Sequence, residues 1–427
     1  MTIAALELND QSLLIQAEDG AMHAEPGFAR LSADGILTGE EARAVAWREP
    51  QHVYDQHWCQ LNLSDLPIRH RFARHHADIA FAQLQKLWTG AGSPDTLILL
   101  VPASFAHAPL SLLLGMVQAL PATASAVIDS ALAACAEVEV DTVHVDLHMH
   151  EAVLTVCRPE EDRVRIVDQS VFPGFGMRHI QNSLARHISD LLIEHYRFDP
   201  LHTSATEQAI YDQIPHWLTS LCWETEVAVK LASDHGEHPC ILERDAVRSL
   251  IGERFSNARY FLEKWADCPL LLSHTCGPLT GLVAEFSGAA LLDQTAATQK
   301  ALSRHETESG QVGGLSRLRE LARRNAQPAR REMNGMLASH LLCGDQALPL
   351  GQPVSIRIDS GSPQIRSGMD PQAALTVVLR NGVLEQLQAA ADITLPSTGN
   401  AGESIRVGEH EVRLIRVLAH RDVMIES

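Results

Sequence analysis

Apolar and polar positions divide the chain into alternating strand-like and helix-like stretches up to about residue 305, and into short β-like runs beyond it. Two strand-like runs open the sequence, Ile3–Leu8 and Leu13–Ala17, followed by Asp19-Gly20 as a hairpin turn signal. Between Arg69 and Trp88 the apolar residues Ile79, Phe81, Leu84 and Leu87 recur at helical spacing, which predicts a helix. Thr96–Val101 is a continuous aliphatic run of the length of a buried strand. A helix over Pro109–Leu120, a strand over Ser125–Ile128, a small-residue helix over Ser130–Ala136 and one or two alternating strands over Asp141–Val156 follow. This order is alternating α/β.

Further on, the pattern predicts amphipathic helices over Met177–Tyr196, Thr206–Thr225 and Asp245–Trp265, with Glu226–Leu231 a strand or short helix. Pro269–Ser273 reads as a strand, and Gly281–Phe286 and Gln294–Leu302 as helices. The pattern breaks around Thr307–Gly314. Leu315–Met336 then carries Arg317, Arg319, Arg323, Arg324, Arg330 and Arg331, a basic helical connector or a docking segment for an acidic partner. Beyond Leu337, the runs Val354–Ile358, Ala374–Leu379, Ser404–Val407 and Val412–Val417 between Gly and Pro turns predict a small β domain.

Charge narrows the partners. With 34 Lys and Arg against 53 Asp and Glu the net charge is −19, a field that repels phosphate backbones and anionic lipid. Nucleic acid and membrane surfaces are therefore not expected partners. No apolar run approaches the roughly 20 residues needed to span a bilayer, and the first residues lack a basic leader, so a cytoplasmic protein is expected. The eight cysteines are scattered without a Cys-x-x-Cys pair, which predicts reduced thiols in the core.

Three phrases between Pro94 and Val156 carry a family resemblance. Leu97-Ile-Leu-Leu-Val-Pro-Ala-Ser-Phe105 resembles the strand of DnaK-type nucleotide-binding domains that ends in a Val-Pro-Ala-aromatic phrase. Val127-Ile-Asp-Ser-Ala-Leu-Ala-Ala134 is similar to that family's acidic, small-residue helix start, and the neighbourhood of Thr142-Val-His-Val-Asp-Leu-His148 resembles its second phosphate-binding hairpin. Glu7-Leu-Asn-Asp-Gln11 lies where the first phosphate loop would begin, and Leu270–Gly277 occupies the place of the adenosine-binding phrase. The resemblance covers the first roughly 305 of 427 residues. It implies the two-lobed α/β fold shared by actin and the DnaK-type chaperones, with ATP and Mg²⁺ as ligands. Asp129 and Asp146 would be the catalytic acids, Asp146 also the metal acid, and Asp10, Gln11, His148, Ser273 and His274 would stand at the nucleotide.

The same turns depart from the family. Asn9, Asp10 and Gln11 replace a Gly-Thr-Thr run, His148, Met149 and His150 replace a Gly-Gly-Gly run, and Ser273 and His274 replace Gly-Gly. Glycines let backbone N–H groups close around phosphates, whereas carboxylates at Glu7 and Asp10 repel a triphosphate. The sequence thus argues against ordinary MgATP binding. A rival motif is Asp146-Leu-His-Met-His150, which looks like the Asp-x-His-x-His strand of metal-dependent hydrolases. On one strand His144, Asp146, His148 and His150 would share a face able to hold Zn²⁺. Against zinc stand the 22 histidines of the chain, which make chance pairs common, and too few strands for a barrel.

The organisation expected is a first lobe over 1–140, a second over 141–305, the basic helical connector over 306–337 and a small β domain over 338–427. Leu341–Gly351 resembles the linker into the chaperones' β substrate domain. Gly402–Ile415 looks like the last strands of a forkhead-associated sandwich, without the Arg and Ser phrases that bind phosphothreonine there. The preferred function is a pseudo-ATPase acting in protein interaction or assembly, with a protein partner and self-association both open. An active ATPase of the same fold, chaperone-like or filament-forming, and a metal-dependent hydrolase are the alternatives.

Overall fold

A computed structural model describes residues 2–233, 236–304, 317–322, 338–344, 346–359, 362–380, 383–389, 393–395, 401, 403–407 and 410–415. It divides into two compact units, Met1–Asn325 and Ala326–Ser427. The first is mixed α/β and the second is all β. Among the described residues no helix is long and apolar enough to cross a membrane.

In the first unit, β1 (Ile3–Glu7), β2 (Leu13–Ala17) and β3 (Met22–Glu25) form an antiparallel meander. A small sheet of β4 (Ala29–Ser32), β5 (Gly35–Thr38) and β6 (Val53–Tyr54) follows. The chain then returns with β7 (Thr96–Val101), parallel to β1, and β8 (Thr123–Asp129), parallel to β7. A second sheet repeats this plan. β9 (Thr142–Leu147), β10 (Glu151–Pro159) and β11 (Arg163–Pro173) make the meander. After a separate hairpin of β12 (Glu226–Ser233) and β13 (Gly236–Glu243), β14 (Leu270–Leu272) pairs parallel to β9, and β15 (Ala290–Leu291) parallel to β14. The turns β1–β2 and β9–β10 are therefore topologically equivalent.

The helices of this unit are α1 (Glu40–Arg43), α2 (His76–Gly90), α3 (His107–Ala119), α4 (Ser130–Ala134), α5 (Met177–Tyr196), α6 (Ser204–Leu221), α7 (Arg244–Lys264) and α8 (Ala296–Leu302). Strand periodicity explains three of its buried clusters. Leu97, Leu99 and Val101 of β7 face a cluster with Leu84 and Leu87 of α2 and Leu113 and Val117 of α3. Ile98 and Leu100 face the opposite way, into a cluster with Leu132 to Ala134 of α4 and Ala297 and Ala301 of α8. Such two-sided burial is why β7 reads as an unbroken aliphatic run. In the second sheet Val143, Val145 and Leu147 of β9 join the core under α5, α6 and α7, where Trp217 and Phe255 are buried. The other face of β9 carries His144 and Asp146, 2% and 3% exposed.

Several expectations are corrected. Arg317–Leu318 (β16) and Glu320–Ala322 (β17) are strands rather than part of a helical connector, and they extend the first and second sheets by pairing with β8 and β11. Two or three residues are too short for a period to be read. Thr307–Gly314, and Arg323, Arg324, Arg330 and Arg331, lie outside the described residues. The helix read from Arg69 starts at His76, and Gly281–Phe286 holds only a 3₁₀ turn at Ala284–Phe286. β11 escaped the pattern because most of its side chains are half-buried, so no clean alternation marks it. Glu226–Ser233 resolves as strand because it pairs with β13.

The second unit contains two antiparallel sheets, one of five strands including His340–Cys343, Ser404–Val407 and His410–Ile415, the other of four including Val354–Asp359 and Leu375–Arg380. Leu341, Val354, Ile356, Leu375, Val377, Ile405 and Leu414 form its core. The described part of the Val412–Val417 run ends at Ile415. All eight cysteines are free. Cys135, Cys157 and Cys276 are buried, and Cys59 is exposed.

Candidate functional site

The equivalent turns of the two sheets meet through side chains. Asn9 Nδ2 donates to Asp146 Oδ1 at 2.9 Å and to the Leu147 carbonyl at 3.1 Å. Gln11 Nε2 donates to the Leu147 carbonyl at 2.6 Å, and the Met149 N–H donates to Asp10 Oδ1 at 2.7 Å. Short polar residues at a turn can bond a neighbouring backbone in this way, which glycines cannot. Asp10, Gln11, His148 and Asp146 are thus brought together as the sequence suggested. All but the half-buried Gln11 are under 5% exposed.

The charges at this junction are coupled. His148 Nε2 lies 3.1 Å from Asp146 Oδ2, and Nδ1 lies 3.6 Å from Asp10 Oδ1. Burial would lower the imidazole, but the Asp146 charge and the hydrogen bonds to Asp10 and Asp146 outweigh it and hold His148 protonated well above its ordinary range. Burial likewise raises Asp10 and Asp146, yet the same imidazolium pulls both below the usual carboxylate range. His144, on the same strand face as Asp146, is lowered by burial. β9 ends at Leu147, so His148 and His150 lie in the turn and the four-residue strand face of the hydrolase motif is not formed. His150 Nε2 lies 2.9 Å from the Asp55 carbonyl.

Glu7 completes the junction at 6% exposure. Burial, and then the neighbouring Asp146 charge, push its carboxyl up to about 8, so it is held as the neutral acid. A folded-state pKa raised this way makes the folded chain bind the extra proton, so stability falls as pH rises from the usual carboxyl range through about 8. Glu7→Gln mimics the neutral form and removes that slope. In thermal unfolding the variant is expected to gain about 4 kcal/mol on wild type between pH 5 and pH 8.5. Parallel pH profiles would refute the assignment.

Asp129 stands apart from this cluster. It caps α4 by accepting the Ala131 N–H at 3.1 Å, accepts from Gln169 Nε2 at 3.0 Å and forms an ion pair with Arg317. Arg317 also donates to the Phe105 and Val101 carbonyls. Asp129, one of the two expected catalytic acids, is 1% exposed and already paired with a cation. Ser273 follows β14 with its hydroxyl 2.7 Å from Thr275 Oγ1, and His274 opens a 3₁₀ helix through Leu279. Thr275 lies 3.5 Å from Asn9 Nδ2, which links this phrase to the first turn.

The N-terminus of α5, a possible anion cradle by position, is capped by protein. Met177 N–H donates to the His148 carbonyl at 3.0 Å and Arg178 N–H to the Met149 carbonyl at 2.8 Å. Gly176 permits this approach, since a Cβ there would lie 2.4 Å from the Glu151 nitrogen. Beside the junction is a cleft of about 320 Å³ lined by Gln11, Phe28, Trp47, Met149, Tyr211 and others. Trp47 and Tyr211 stack at 3.9 Å, and the Arg178 guanidinium lies 4.3 Å over Trp47. Sequence reasoning missed Arg317 and Gln169 as contributors, and no local signal marks them because their partners are remote in the chain. Neither the models of known protein families nor the curated protein sequences give a match to this chain.

Proposed function

We infer that Met1–Asn325 is a divergent two-lobed fold of the actin and DnaK-type kind whose nucleotide machinery is disused, and that the protein serves in protein interaction or assembly as a pseudo-ATPase. The repeated strand plan of the two sheets supports the fold reading: each has a three-strand meander whose first strand pairs in parallel with a later strand, which in turn pairs in parallel with another. The observation that carries the functional reading is the direct bonding between the two equivalent turns. Where phosphate-binding glycines would leave backbone N–H groups open, Asn9, Asp10 and Gln11 engage Asp146, Met149 and Leu147. Asp129, the second expected acid, is engaged by Arg317.

A protein partner fits two features of the surface. Trp223 and Tyr260 are 82% and 79% exposed, and large aromatic side chains are the anchors that protein interfaces bury. The acidic field favours a partner with a basic face.

The test is thermal unfolding and turnover with MgATP and MgADP. No stabilisation and no phosphate release are expected. A ligand at a hundred times its Kd would add about 2.7 kcal/mol. A nucleotide shift of that size, abolished by Asp146→Ala, would overturn the pseudo-ATPase reading in favour of an active ATPase.

A further inference from the structure

The residues that replaced the turn glycines do more than bond each other. Asp10, from the β1–β2 turn, and His150, from the β9–β10 turn, converge with Cys59, and one donor atom from each lies within 4.8 Å of the other two. These residues come from three separate stretches of chain. Zinc holds carboxylate and imidazole at about 2.0–2.2 Å and thiolate at about 2.3 Å, so tetrahedral donors sit roughly 3.3–3.8 Å apart. Side-chain adjustment of an ångström or less on each donor closes the difference.

We propose that Asp10, Cys59 and His150 bind one divalent transition-metal ion of the zinc class, with the fourth position open to solvent. This site goes beyond the pseudo-ATPase reading and shares only His150 with the Asp-x-His-x-His motif.

The surroundings are those of a ligand set. His150 Nε2 faces the Asp55 carbonyl at 2.9 Å, and a proton there leaves Nδ1 with the lone pair a metal needs; ligating imidazoles are held in this way by a carbonyl or carboxylate on the far nitrogen. The Asp10 carboxylate keeps the Met149 N–H on Oδ1, and a carboxylate so oriented can ligate through its other oxygen. Cys59 is exposed, which gives an ion access. Its loop is nevertheless fixed, because the adjacent Trp58 and nearby His57, both buried, are bonded to Gln83 at 2.8 Å. A thiolate, an imidazole and a carboxylate suit zinc, cobalt or iron, whereas magnesium and calcium take oxygen donors. The ion would join both turns to the Cys59 loop and would add positive charge beside the buried carboxyls Glu7, Asp10 and Asp146.

The experiment uses the full chain, stripped with chelator and then titrated with Zn²⁺ alone and with Co²⁺ alone, with no nucleotide present, so its outcome is independent of the ATPase question. Wild type is expected to bind one equivalent of zinc, and the cobalt form to show a thiolate-to-metal charge-transfer band. Cys59→Ser should abolish the band, and both Cys59→Ser and His150→Gln should weaken zinc binding about tenfold or more. Metal-free unfolding curves of the two variants check that each folds, and exposed Cys59 makes the serine variant the safer one. Absence of one-to-one binding, a cobalt spectrum without the thiolate band, or zinc binding unchanged in both variants would overturn the site.

Discussion

His148→Ala is expected to lower the stability of the first unit by about 3–5 kcal/mol, because it removes the cation between two buried carboxylates. Asp10 and Asp146 are each under 5% exposed, and the imidazole lies within 3.6 Å of both. A group whose folded pKa is raised contributes fully below its unfolded value, here 6.5, and loses the contribution as pH rises through the folded value. Thermal or urea unfolding at pH 6 therefore reads the largest effect. A loss under about 1 kcal/mol would mean that Asn9 and the Met149 N–H suffice to hold the carboxylates, and that the imidazolium is incidental.

Arg317→Ala carries the second large effect, again about 3–5 kcal/mol, because Asp129 would remain buried with its countercharge gone. Two carbonyls, Phe105 and Val101, would also lose a donor. Combining Arg317→Ala with Asp129→Asn should recover much of the loss, since the amide no longer needs a cation. Additive losses in that double-mutant cycle would show that Arg317 stabilises through strand β16 rather than through the ion pair.

Asp146, Asp10, Gln11 and His148 were singled out together because a family resemblance put them on two equivalent turns, and the structure brings those turns into contact. The sequence presents Arg317, by contrast, as one residue of a basic helix. Its role depends on Asp129, 188 residues away, and nothing within a helical or strand period records such a pairing. In the sequence Cys59 is one of eight scattered cysteines, whereas in the structure it is exposed and lies beside two turns distant in the chain.

The sequence alone determined the strands and helices whose apolar period is long or continuous. Thr96–Val101 and Met177–Tyr196 have the bounds the pattern predicted, because burial on both faces of a strand, or along one face of a long helix, is written locally. It also shows that the turns at Asn9–Gln11 and His148–His150 contain no glycine, since the absence of a residue type is visible without any partner. What the tertiary structure alone decided is what the side chains at these turns meet: a set of hydrogen bonds and ion pairs between remote turns, an arginine seated on Asp129, and a carboxylate, thiol and imidazole within reach of one another. Such contacts depend on how two sheets face each other, and that arrangement is set by the packing of the whole unit rather than by any stretch of residues.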